Sequence, residues 1–84
     1  MLKVRTLELK NRQFKIVVNS VDMTDKTVTV TPYVVDLLKM VEVGQTRKVT
    51  LEETYQSAPE KWDAVLEPLI EEAIEDVRNY CNKL

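Results

Sequence analysis

The chain reads as an α+β domain: a small antiparallel sheet, made of a three-stranded meander plus a fourth strand, with two helices packed on one face in the order β-β-β-α-β-α. Three observations predict this. Apolar and polar residues alternate through the first third; an i, i+3, i+4, i+7 apolar spacing follows Thr31-Pro32; and the last third carries a long apolar stripe with glutamates opposite it. With 84 residues and no internal boundary signal, residues 1–84 are expected to form one domain around one core.

Taken in order, Leu2 and Val4 alternate with Lys3 and Arg5, after which Leu7 and Leu9 take over the apolar role. That change of phase predicts a bulge, or a strand buried on both faces. Lys10-Asn11-Arg12 reads as a turn, Phe14 to Val21 as a central strand, and Asp22 to Lys26 as a polar turn. Thr27 to Thr31 reads as a strand with its valines inward. Thr31-Pro32 then has the form of a helix N-cap followed by proline at the first helical position, with Val34, Leu37, Leu38 and Val41 on one side and Gly44, the only glycine, as a left-handed C-terminal cap. A first helix is therefore expected over about residues 32–42. Thr46 to Glu53 alternates again and gives the fourth strand, at an edge. Ser57-Ala58-Pro59-Glu60 has capping-box spacing and opens the last helix. Its apolar stripe holds Trp62, Leu66, Leu69, Ile70, Ala73, Val77, Tyr80 and Leu84, and Pro68 predicts a kink or break near residues 64–68.

The net charge of −2 conceals an uneven distribution. Residues 1–26 hold six basic and three acidic side chains, whereas residues 52–84 hold three basic and nine acidic ones. Glu67, Glu71 and Glu75, with Glu72 beside them, line the outer face of the last helix and are the candidate partner-binding residues, suited to a protein with a basic surface. The opposing basic candidates are Lys3, Arg5, Lys10, Arg12 and Lys15. Nucleic-acid binding through them is disfavoured, because the aromatic residues are few and sit at positions that read as core. Mutual neutralisation of the basic strands and the acidic helix is the structural alternative. The end of the apolar stripe, Tyr80, Cys81 and Leu84, is the candidate interface of a homodimer.

The chain has no histidine, one cysteine and one glycine, which excludes imidazole catalysis, His-ligated metal, an internal disulfide and a glycine-rich phosphate loop. Neither a cofactor nor a metal is expected. No apolar run approaches the length of a membrane span or a secretory signal, so a cytoplasmic protein is expected. These features predict a non-enzymatic interaction or inhibitor module that docks on a basic macromolecule through its acidic helix. The alternatives are a homodimeric structural or regulatory protein and a nucleic-acid binder. In size, in lacking catalytic groups and in its acidic helix, the chain is similar in general terms, though by no motif, to the small inhibitors carried by phages and other mobile elements.

Overall fold

A computed structural model describes all 84 residues. It contains five strands and one helix: β1 (Leu2–Leu9), β2 (Arg12–Ser20), β3 (Thr27–Asp36), β4 (Lys39–Glu42), β5 (Arg47–Thr50) and α1 (Pro59–Asn82). The sheet is antiparallel throughout and runs β1-β2-β3, with β4 and β5 both paired to β3, end to end along its far side. The single helix lies across one face. This is a two-layer α+β domain with one helix rather than the expected two.

The expected helix over residues 32–42 is absent, and β3 runs through Thr31-Pro32 to Asp36 before turning into β4. Two features override the helical spacing. The run Thr27-Val28-Thr29-Val30-Thr31, continued by Tyr33-Val34-Val35, is β-branched and aromatic, which favours a pleated surface. Pro32 is also harmless where it sits. Its carbonyl accepts the Val43 N–H at 3.1 Å, so its nitrogen, on the same side of the strand, faces the break between β4 and β5, where no ladder bond is lost. Leu37 and Leu38 form the two-residue loop of the hairpin and point to solvent.

The β1–β2 register is continuous from Leu2↔Asn19 to Leu9↔Arg12, so the expected bulge is also absent. The phase change has another cause: Leu7 and Leu9 pack beneath the helix, while Leu2 and Val4 belong to the opposite face, where they are exposed. Lys10 and Asn11 connect the strands with φ of 51° and 62°, the two left-handed residues of a type I′ turn.

The core is one cluster. Phe14, Ile16, Val18, Val28, Val30 and Val34 from the sheet meet Trp62, Leu66, Ile70, Ala73, Val77 and Cys81 from the helix. The helical residues recur at intervals of four or three, which keeps one stripe against the sheet for about 29 Å of helix. The helix continues unbroken through Pro68, which lies on the exposed side. The capping box does not form. Ala58 occupies the N-cap position without a side-chain hydrogen bond, and the Ser57 hydroxyl instead accepts one from Thr54 at 3.0 Å. Trp62 is fully buried, and its indole N–H donates to the Glu53 carbonyl at 2.7 Å, which fastens the incoming loop to the first turn of the helix.

Candidate interaction surfaces

The acidic helix face is largely occupied by the chain's own cations. Lys3 and Arg5 point to the helix side of β1 and reach over the edge, Lys3 to Asp63 and Arg5 to Glu67, both at 3.5 Å. Arg78 pairs with Glu75 at 3.2 Å, and Arg47 lies 3.0 Å from Glu72. Glu71 alone among the four candidate residues makes no ion pair. The Lys3 ammonium also donates to the Tyr55 hydroxyl at 2.5 Å and lies over that ring, while the hydroxyl donates to Asp63 at 2.9 Å. This hydrogen bond from Lys3 to Tyr55 is the main reason the amine's pKa is raised above its usual value.

The five basic candidates do not form one patch. Lys3 and Arg5 are committed to the helix, and Lys10 donates to the Cys81 carbonyl at 2.9 Å, a cation at a helix C-terminus. Arg12 opens β2 on the helix side, and Lys15 faces the other way. The residues considered for a dimer interface are also separated. Cys81 is part of the core, Tyr80 packs edge-on against Phe14 with ring centroids 6.0 Å apart, and only Leu84 is exposed.

The most enclosed charges form a clasp between the β4–β5 connection and the helix. The Arg47 guanidinium donates to both Asp76 carboxylate oxygens, at 2.8 and 3.2 Å, and the Gln45 N–H donates to the same carboxylate at 3.1 Å. The Arg47 hydrogen bonds hold the Asp76 carboxyl below the usual carboxylate range, and the pairing raises Arg47 in return. Gly44 makes this approach feasible. A Cβ there would stand 2.6 Å from the Asp76 Cβ, so the sole glycine serves a close contact rather than the helix cap expected of it. Its φ is not positive.

Two apolar surfaces remain uncovered, and neither was singled out from the sequence. The sheet face opposite the helix carries Leu2, Val4, Val17, Tyr33, Val35 and Met40. Its charged residues are Glu8, Lys15, Glu42 and Lys48, none of which is ion-paired. The second surface is the tip of the β3–β4 hairpin, where Leu37 is 90% exposed and Leu38 fully so. Leu37 has φ of 57°, a left-handed conformation that costs a leucine about 1–2 kcal/mol and that hairpin loops usually assign to glycine, asparagine or aspartate. Because Leu-Leu carries no turn chemistry, the sequence offered no local signal for this loop. The better signal was the β-branched run before it.

Compared with known proteins, the chain matches no family model, no curated protein and no solved structure. No helix is long and apolar enough to cross a membrane.

Proposed function

We propose that this chain is a non-enzymatic protein-interaction module that recruits or occludes another protein, and that the β3–β4 hairpin tip is its principal contact element. One observation carries the reading: two adjacent leucines are presented to solvent, and the first is held in a backbone conformation that disfavours its side-chain type. Neither leucine contributes burial to the fold, and glycine or asparagine would meet the turn's demands at lower energetic cost. A partner with an apolar cleft supplies the missing burial. Transferring two leucine side chains from water is worth about 3–6 kcal/mol before ordering costs, enough to anchor an interface.

Docking through the acidic helix has less support, because Glu67, Glu72 and Glu75 each have an arginine of the same chain within ion-pairing distance. Nucleic-acid binding through the basic strands has less support for the same reason at Lys3 and Arg5. As for catalysis, the most enclosed charges, Arg47 and Asp76, already satisfy one another and fasten a loop.

The experiment compares three forms of the protein as bait for partners from a lysate: the wild type, Leu37→Ser with Leu38→Ser, and the triple change of Glu67, Glu71 and Glu75 to Gln. The proposal requires a captured protein whose binding falls at least tenfold with the serine pair and changes less than threefold with the glutamine triple. Loss with the triple alone would return the function to the helix.

A further inference from the structure

We infer that the bare face of the sheet is a self-association surface, on which a second copy of this chain packs face to face about a two-fold axis. The surface is distinct from the hairpin leucines, and the argument rests on area and charge. Where β4 or β5 pairs with β3 and β1 is present the sheet is four strands wide, about 19 Å at the usual strand spacing, and the ten residues of β3 span about 33 Å. The strands present cover about 550 Å² per copy, or about 1,100 Å² for a pair, just above the roughly 1,000 Å² that a specific interface needs. Its middle carries a single charge: Val4, Val17 and Thr31 form one cross-strand row, Tyr33 and Val35 lie beside it on β3, and Lys15 of β2 stands next to Tyr33.

The charges select the occupant. In the register of the sheet, Leu2 and Lys48 lie at opposite ends of one cross-strand row, which passes through Asn19 and Thr29. Near the other end of the strands, Glu8 on β1 and Met40 on β4 occupy the remaining two corners. Opposite charges thus sit on one diagonal and apolar side chains on the other. A two-fold axis in the plane of the face, perpendicular to the line from Glu8 to Lys48 and so running close to the Leu2–Met40 diagonal, lays each copy's Glu8 over the partner's Lys48 and brings each apolar corner within about 8 Å of its own equivalent. The contact is isologous, which a two-fold interface requires. Rows then cross rows at about 70°, nearer to the orthogonal than to the aligned way that sheets pack. A partner recognised by charge alone would need a face of one sign, and this face carries two acids and two bases.

Sedimentation of the full chain across the micromolar to millimolar range provides the test, with four exposed-site variants whose folding is checked by circular dichroism. The wild type is expected to shift from 9.8 kDa toward twice that mass as concentration rises. Glu8→Lys alone and Lys48→Glu alone should each weaken association at least tenfold, and the two together should restore it. Leu37→Ser with Leu38→Ser should leave it unchanged, which separates this surface from the hairpin reading. A wild type that stays monomeric throughout, or a double charge reversal that fails to recover association, overturns the inference.

Discussion

Replacing Gly44 by alanine tests how the β4–β5 connection is fixed to the helix. The added Cβ would lie 2.6 Å from the Asp76 Cβ and 2.7 Å from its Cγ, against 3.4 Å or more in ordinary contact. Rotating the Asp76 side chain cannot relieve this, because its Cβ is attached directly to the helix backbone, so the loop must retreat by about 1 Å. Overpacking of this kind costs about 1–3 kcal/mol, and the retreat also stretches the hydrogen bonds from Gln45 and Arg47 to the carboxylate. A loss of about 2 kcal/mol lowers the thermal midpoint of a domain of this size by about 8–16 °C, which calorimetry reads directly. Asparagine makes the experiment diagnostic. At a left-handed cap Gly44→Asn would be milder than Gly44→Ala, whereas at a steric contact it is at least as harmful. A neutral alanine variant, or an asparagine variant better tolerated than alanine, would refute the reasoning.

Further expectations follow from the same geometry. Leu37→Gly should stabilise the protein by about 0.5–1 kcal/mol, the relief of left-handed strain less the entropy glycine gains in the unfolded chain, as measured by urea unfolding. Glu71 faces Glu67 and Glu75 at i±4 without a cation of its own, so Glu71→Gln should raise stability by about 0.2–0.5 kcal/mol per pair relieved. Asp76 has a carboxyl depressed below its usual 3.8. The stability it contributes is present above that value and lost as pH falls through the lower folded one. The destabilisation caused by Asp76→Asn at neutral pH should therefore shrink in thermal midpoints measured from about pH 5 to pH 2.

What could be read from the sequence, and what could not, follows from the range of the interactions involved. The last helix was legible because Trp62, Leu66, Ile70, Ala73 and Val77 repeat at helical spacing over many turns, and one sheet covers them all. The β1–β2 turn was legible at Lys10-Asn11-Arg12, of which Lys10 and Asn11 form the loop while Arg12 already opens β2. The segment from Thr31 to Glu42 was misread because its helical spacing rested on Val34, Leu37, Leu38 and Val41. Only Val34 of these is buried, and in a strand. What makes Pro32 acceptable there is the break between β4 and β5, a feature of strand order that no local window contains. The acidic helix was legible as a charged face. Its pairing with Lys3 and Arg5 depends on β1 lying beside it, across more than fifty residues of chain. The bare sheet face was hidden for a related reason: Leu2, Val4 and Met40 read as ordinary strand residues until the helix is seen to cover only the opposite side.

Hydrogen exchange of the protein bound to its captured partner tests the hairpin account most directly. Amides of residues 36–40 should gain protection, while the exposed helix face from Asp63 to Glu75 exchanges as it does in the free chain. Protection confined to that helix face, with the hairpin unchanged, would contradict the account.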